Sequence, residues 1–192
     1  MIDVHVVRHD ELGRISRSLR HCSSLQHGER VARQERGAFT YLVAWDRDEH
    51  VGHVGIDWPN DREPELGLEF GPHAMVHDLE VLQGRRNEGI GRALMVELED
   101  QVRERGLPAV VLTTGINDGY AAARHLYRSL GYVEIPGTLH VESSRLPPDR
   151  AEVFLEILTI WTKTVWGSMP RARSSPTKTQ SAEAWDAMGR RC

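Results

Sequence analysis

The strongest constraint on the fold is a point where a strand pattern passes directly into a helix pattern through a glycine-bearing turn. Met75–Leu82 reads as a strand, and the apolar positions of Gly91–Gly106 recur at the four-residue spacing of a helix face. Gly89 and Gly91 remove side chains where the helix begins. The first amides of a helix lack intrahelical acceptors and lie at the positive end of its dipole. The junction therefore predicts an anion site, above all for a pyrophosphate.

The residues of this turn narrow the kind of anion site. Arg85, Arg86 and Arg92 add positive charge, whereas Glu88 places a carboxylate beside the expected phosphates. A nucleotide P-loop is excluded because no Gly-Lys-Ser/Thr follows, and a dinucleotide site is excluded because Gly-x-Gly-x-x-Gly is absent. Taken alone, the turn is as compatible with a structural loop carrying exposed arginines.

The rest of the chain, as far as residue 165, alternates between strand and helix patterns. Asp46–His50 has the composition of a hairpin turn, and residues 60–71 lack any period and are expected to form a loop. The last strand is expected to pair across residues 143–150. The further predicted strands are 3–8, 39–45, 53–58, 109–113, 132–135 and 157–165, and the further predicted helices are 10–21, 24–35 and 120–130.

Composition favours one soluble domain over residues 1–166, followed by a disordered basic tail over residues 167–192. The net charge is −4 although the tail is basic, so the body is acidic, which argues against a nucleic-acid surface. Cys22 and Cys192 are too few for a disulfide framework and are expected to be free thiols. No apolar run is long enough to cross a membrane and no signal pattern begins the chain, which together favour the cytoplasm.

Two motifs at a fitting distance resemble the GNAT superfamily of acetyl-CoA-dependent N-acetyltransferases. Arg86–Gly91 (Arg-Asn-Glu-Gly-Ile-Gly) is similar to the family's Gln/Arg-x-x-Gly-x-Gly/Ala turn between a strand and a helix. Ala123–Tyr132 is similar to its Ala-x-x-Leu-Tyr-x-x-Leu-Gly-Phe/Tyr helix end. The resemblance implies a single α/β (α+β) domain with a mixed, mostly antiparallel, splayed sheet flanked by helices.

The resemblance also implies roles for individual residues. The turn amides would hold the CoA pyrophosphate, the strand ending at Val81 would bind the pantetheine arm, and Tyr127 would protonate the departing thiolate. From the residues alone, Tyr127 lies on the apolar face of the predicted helix 120–130, so a core tyrosine is the alternative. Where the family often has Asn seven residues before that tyrosine, this chain has Tyr120, and Asn117 lies out of register. The implied cofactor-binding positions are Leu79, Val81, Arg86, Asn87, Gly89, Ile90, Gly91, Arg92 and Asn117.

Attack by an amine on a thioester also requires a proton acceptor. Steps of two along a strand place His77 on the face of Leu79 and Val81, and Asp78 and Glu80 on the other. His77 is therefore the first candidate base, because an imidazole titrates near neutral pH. A histidine satisfied within the sheet is an equal alternative for His77. Glu80 and Glu69 are further candidates for the base.

The sequence thus predicts transfer of acetyl from acetyl-CoA to an amine of a small molecule or peptide, by direct attack in a ternary complex. The alternatives are a non-catalytic acyl-CoA-binding sensor or interaction domain, motivated by Tyr120 and Glu88, and a phosphate-binding module for a nucleotide. No metal is expected, because the closest histidine pairs lack a third ligand at a recognisable spacing. Neither nucleic acid nor membrane is an expected partner, and a homodimer is compatible with the sequence.

Overall fold

A computed structural model describes residues 2–18, 24–59, 72–145 and 152–165 of the chain. Within these ranges the strands are β1 (Ile2–Val6), β2 (Phe39–Asp46), β3 (Glu49–Asp57), β4 (His73–Val81), β5 (Ala109–Gly115), β6 (Val133–Arg145) and β7 (Glu152–Thr164). The helices are α1 (Leu12–Ser18), α2 (Ser24–Glu35), α3 (Ile90–Glu104) and α4 (Ala121–Ser129). Short 3₁₀ turns occupy His9–Glu11, Gln83–Arg85 and Asp118–Tyr120. The predicted loop over 60–71, the predicted tail over 167–192, and Cys22 and Cys192 lie outside the described residues.

The seven strands form one mixed sheet in the order β1-β2-β3-β4-β5-β7-β6, which confirms the predicted fold class. Every neighbouring pair is antiparallel except β4 with β5. β3 begins four residues before its predicted start at His53, because Arg47 adopts a left-handed conformation (φ +55°) and closes the hairpin within two residues. β6 also continues ten residues past its predicted end at Ile135, paired with β7.

Two apolar layers hold helices on opposite faces of the sheet. The predicted apolar face of α3 is fully buried against the sheet, with Leu94, Leu98 and Val102 at 0% exposure. α4 packs on this same face through Leu126 and Tyr127. On the opposite face, α1 and α2 cover a second cluster that consists of Val7, Leu12, Ile15, Val31, Phe39, Tyr41, Val43 and Trp45.

The sheet opens between β4 and β5. Only His73–Met75 of β4 pairs with β5, opposite Ala109–Val111. β4 then continues to Val81 with its other edge on β3, and β5 continues to Gly115 with its other edge on β7. Among the described residues no cross-strand pair joins β4 to β5 beyond this point, so backbone groups on the facing edges are available to a ligand.

A bulge interrupts β4 at Asp78. The pairing of β4 with β3 shifts by one residue between His53 and Gly55, and Asp78 has a left-handed backbone with φ +50°. Before the bulge Val76 packs on the α3 side of the sheet, whereas after it Leu79 and Val81 do so. The extra residue therefore reverses the alternation of β4 side chains between the two faces.

Candidate active site

The turn between β4 and α3 presents an open helix N-terminus. Gly89 caps the helix in the left-handed region with φ +83°. The first intrahelical bond of this end runs from the Ala93 amide to the Gly89 carbonyl, so the amides of the residues between them have no helical acceptor. A Cβ on Gly89 would meet no atom within 4 Å. The space above Gly89 is therefore open to an anion, which would lie at the positive end of the helix dipole.

Gly91 has a packing role that the sequence did not predict. A Cβ at this position would lie 3.2 Å from Leu126 Cδ2 of α4 and 3.7 Å from Val81 Cγ2 of β4. The two glycines of the motif therefore serve different purposes. Gly89 permits a left-handed cap beneath open space, whereas Gly91 permits α4 to approach the start of α3 closely.

Arg85 is engaged by carboxylates that surround the turn. Its guanidinium lies 2.7 Å from Asp46 Oδ2, 2.9 Å from Glu49 Oε2 and 2.9 Å from Glu88 Oε2. The hydrogen bond from Arg85 lowers the pKa of Asp46. The ion pair with Arg85 accounts for Glu88 in the motif, and Arg85 in turn joins the turn to the β2–β3 hairpin.

Arg86 and Arg92 are the cations that the turn exposes. Arg86 Nε donates to the Val81 carbonyl over 3.3 Å, and Arg92 Nη2 donates to Ser129 Oγ over 2.6 Å. Neither arginine has a carboxylate partner among the described contacts. Both side chains therefore offer positive charge beside the open N-terminus of α3.

The end of β5 explains why tyrosine stands at position 120. A Cβ on Gly115 would lie 2.5 Å from the Tyr120 ring, so the ring packs directly on this glycine. Asn117 Oδ1 accepts a hydrogen bond from the Gly119 amide over 2.9 Å. Arg124 Nη1 donates to the carbonyls of Gly115 and Asn117 over 2.5 and 2.9 Å. Asn117 thus shapes the turn after β5, with its side-chain oxygen engaged there.

Tyr127 is buried in the core layer between the sheet and α3, as its position on the apolar side of α4 predicts. The side chain is 6% exposed, and its ring centroid is 5.9 Å from that of Tyr132 and 6.5 Å from that of Trp161. Burial raises the pKa of Tyr127 to about 12. The phenol is therefore neutral at physiological pH and can donate a proton or a hydrogen bond.

His77 does not share a face with Leu79 and Val81, and that prediction is wrong because of the bulge at Asp78. Leu79 and Val81 face α3, whereas His77 faces α2. His77 Nε2 lies 2.7 Å from Asp57 Oδ2, and Asp57 also accepts from Arg33 of α2. His77 and Asp57 form a dyad that sequence reasoning missed, since the two residues are twenty positions apart on different strands.

The bulge also brings Asp78 and Glu80 to the α2 side, together with His77. Arg30 Nη2 of α2 donates to Asp78 Oδ2 over 2.6 Å, and Arg30 Nη1 lies 3.4 Å from His53 Nε2. Glu80 Oε2 lies 3.9 Å from His53 Nε2. Glu80 is half-buried, with 23% of its side chain exposed. Glu69, the remaining candidate base, lies outside the described residues.

A buried polar cluster underlies these contacts. Arg30 Nη1 donates to the Tyr41 hydroxyl over 3.4 Å, and that hydroxyl shares a 2.7 Å hydrogen bond with His27 Nδ1. Burial, and then the nearby Arg30, lowers the pKa of His27 to about 4 and that of His53 well below its ordinary value. Both rings are therefore neutral at physiological pH.

The described ranges contain neither a metal-binding cluster nor a membrane-spanning helix. No group of three or more His, Cys, Asp or Glu side chains within them is arranged to hold a metal ion. None of the helices in those ranges is long and apolar enough to cross a membrane.

The model of the acetyltransferase (GNAT) family matches residues 10–132, which span the turn, the opening and α4. The chain belongs to this family. A comparison with curated proteins found no matching sequence. The family model therefore identifies the chain through the motif-bearing region that carried the resemblance.

Solved acetyltransferase structures share the fold at low sequence identity. The ribosomal-protein-S18-alanine N-acetyltransferase from Escherichia coli is 17% identical, with a TM-score of 0.61 over 88% of this chain and 96% of that one. The protein yncA from Salmonella typhimurium, solved with its cofactor acetyl-CoA, is 15% identical, with a TM-score of 0.65 over 92% and 98%. An N-acetyltransferase from Staphylococcus aureus Mu50 is 10% identical, with a TM-score of 0.66 over 86% and 99%. These likenesses establish the GNAT fold.

Proposed function

We propose that this GNAT protein transfers the acetyl group of acetyl-CoA to an amine of a small molecule or peptide. The observation that carries the proposal is the opening between β4 and β5, which leads to the open N-terminus of α3. An extended arm with amide groups fits the unpaired edge of β4, and a pyrophosphate fits the open space above Gly89. The two features together match the two halves of CoA.

The residues of the opening suit separate parts of that ligand. The backbone of Leu79 and the amide of Val81 lie on the unpaired edge of β4, where they would pair with the pantetheine arm. The Val81 carbonyl already accepts from Arg86 Nε. Arg86 and Arg92 would add charge to the phosphate site. The positions that would hold the phosphates through the backbone of the turn are Asn87, Gly89, Ile90 and Gly91, and Asn117 would border the arm from β5. Acetyl-CoA supplies an activated thioester carbonyl.

Tyr127 is the group that we assign as proton donor to the departing sulfur. Its buried phenol keeps its proton through the physiological range, since burial raises its pKa to about 12. A thiolate that leaves in this apolar layer would be stabilised by a neutral hydrogen-bond donor. Because the Tyr127 phenol is neutral, it can serve as the donor without a charged side chain in the apolar core before the reaction.

The proton acceptor lies on the α2 side in this proposal. His77 is the first candidate, because its imidazole lies beside a carboxylate, with Nε2 at 2.7 Å from Asp57 Oδ2. Glu80 is the second candidate, since its carboxylate is half-buried beside a neutral His53. Either group would take the proton of an amine that approaches from the face opposite α3.

Calorimetry with acetyl-CoA and a matched pair of glycine variants tests the phosphate site. Gly89 and Gly106 stand at opposite ends of α3, each with positive φ (+83° and +70°) and with open space around an added Cβ. Alanine at either position should cost about 1–2 kcal/mol of stability through backbone strain. Only Gly89→Ala should also raise the Kd for acetyl-CoA, by tenfold or more. Equal Kd values in the two variants would contradict the site.

Turnover separates the enzyme from a binding domain. CoA thiol release should accompany acetylation of at least one amine in a panel of polyamines, amino acids and peptide N-termini. Acetyl-CoA binding without turnover on the panel would instead support a non-catalytic acyl-CoA-binding domain. Stabilisation by ATP or NAD but not by CoA would replace both with a nucleotide site.

A further inference from the structure

We propose that Arg30 of α2 is a positioning residue, which holds Asp78 in its left-handed conformation and thereby fixes the bulge that sets both faces of β4. The inference rests on the proposed function, because it concerns the strand edge that would bind acetyl-CoA. Arg30 itself lies on α2, away from both the turn between β4 and α3 and the β4–β5 opening.

The burial of Arg30 is the first observation. Its side chain is 8% exposed, and a charged side chain so deeply placed requires specific partners. The guanidinium reaches Asp78 over 2.6 Å, the Tyr41 hydroxyl over 3.4 Å and His53 Nε2 over 3.4 Å. Asp78 is the carboxylate in this set, so it supplies the charge that balances the buried cation.

The backbone of Asp78 is the second observation. Its φ of +50° is disfavoured for residues with a Cβ, although aspartate tolerates it better than most. A strained residue of this kind persists when its surroundings hold it in place. The contact from Arg30 does so directly, because a short charge-assisted hydrogen bond fixes the side chain at the strained position.

The consequence reaches both sides of the sheet. Without the bulge, the steps of β4 would continue unchanged, and Leu79 and Val81 would turn away from the α3 core to which they now contribute. Glu80 would leave the α2 side in the same movement. Arg30 therefore couples the packing of α2 to the shape of the strand edge at the opening.

An Asp78→Gly substitution tests whether Arg30 acts by supporting the left-handed backbone at position 78 or in another way. Glycine adopts positive φ without strain and needs no partner to hold it there. Arg30→Gln should raise the Kd for acetyl-CoA about tenfold, since the unsupported bulge relaxes. Arg30→Gln/Asp78→Gly should return the Kd to within about threefold of the parent, because glycine keeps the bulge unaided.

Gln34→Met is the matched control on the same helix. Gln34 docks α2 through a 3.0 Å bond to the Val7 carbonyl and a 2.8 Å bond from the Tyr41 amide, and neither contact involves β4. Its loss should lower the melting temperature and leave the Kd for acetyl-CoA within about twofold. If Gln34→Met weakens binding as much as Arg30→Gln, or if glycine at position 78 brings no recovery, the positioning role is refuted.

Hydrogen exchange of the protein without ligand gives a readout that does not depend on the proposed function. The amides of β3 and β4 around the bulge should exchange faster in Arg30→Gln and regain protection in the double variant. A parent protein that fails to bind acetyl-CoA would overturn the proposed function while this exchange pattern still tested Arg30. Should Arg30→Gln not fold, Arg30→Lys compared with Asp78→Asn decides the matter, because the proposal requires faster exchange at the bulge in both.

Discussion

Acid should destabilise this fold through buried histidines on α2 and at the start of β3. His27 and His50 are 0% and 2% exposed, and burial lowers the pKa of each to about 4. In the unfolded chain both rings titrate near 6.5. The unfolded state therefore binds more protons between pH 6.5 and 4, and stability must fall as the pH falls through this window.

The size of the effect follows from the two pKa values. Each ring should contribute a loss of about 3 kcal/mol between neutral pH and pH 4. The pair together should cost about 6 kcal/mol, which approaches the whole stability of many domains of this size. His53 should add to the loss in the same direction, because its pKa also lies well below the ordinary value.

Urea unfolding at a series of pH values, followed by tryptophan fluorescence, measures this loss. Between pH 6 and 4.5 the free energy of unfolding should fall by roughly 2–3 kcal/mol per pH unit from the two histidines. In His27→Gln/His50→Gln the number of protons taken up on unfolding in this pH range should be smaller by about two, so the slope of the unfolding free energy against pH should be shallower. This difference does not depend on the absolute stability of the variant. His9→Gln is the control, since 82% of the His9 side chain is exposed. A double variant with the parental slope would refute the reasoning.

Three further substitutions test the site. Tyr127→Phe should lower kcat roughly ten- to a thousandfold with little change in the Kd for acetyl-CoA, because the phenol acts on the departing group. Steady-state kinetics and calorimetry measure the two quantities, and an unchanged kcat would leave Tyr127 with a packing role only. Gly91→Val should cost about 1–3 kcal/mol in urea unfolding through its clash with Leu126, and parental stability would contradict that packing. Asp57→Asn should lower kcat/KM about tenfold and alter its pH profile if His77 is the base; a parental profile would favour Glu80.

Local patterns predicted most of the elements because their causes are local. The four-residue spacing on α3 is the face that the core buries, and α2 spans the predicted 24–35. The glycine turn was also recognisable from sequence, because a left-handed cap strongly favours a residue without a Cβ. The GNAT motifs then indicated the sheet that these elements form, and the family match confirms that identification.

The arrangement of β4 could not be predicted in the same way. The left-handed backbone of Asp78 depends on Arg30, which lies 48 residues earlier on another element. Strict alternation therefore assigned His77 to the wrong face, and the partnership of His77 with Asp57 went unseen. Both features arise from contacts between segments that are remote in sequence, which periodicity does not report.

Glu88 and Gly91 show how one motif combines functional and architectural demands. Glu88 is paired with Arg85, and the side of Gly91 on which a Cβ would lie faces Leu126 of α4. An interpretation of this motif as a ligand site alone would give every residue in it a binding role. The tertiary contacts divide the same residues between binding and packing.

The opening between β4 and β5 makes this sheet an incomplete ladder. β1–β4 form one antiparallel block and β5, β7 and β6 another, and three residue pairs join the two. A bound arm with its own amides would occupy the place of a missing strand, so the substrate would serve for one catalytic cycle as a piece of secondary structure. Binding of acetyl-CoA would then extend the hydrogen bonding of the sheet, and release of CoA would end that extension in each cycle.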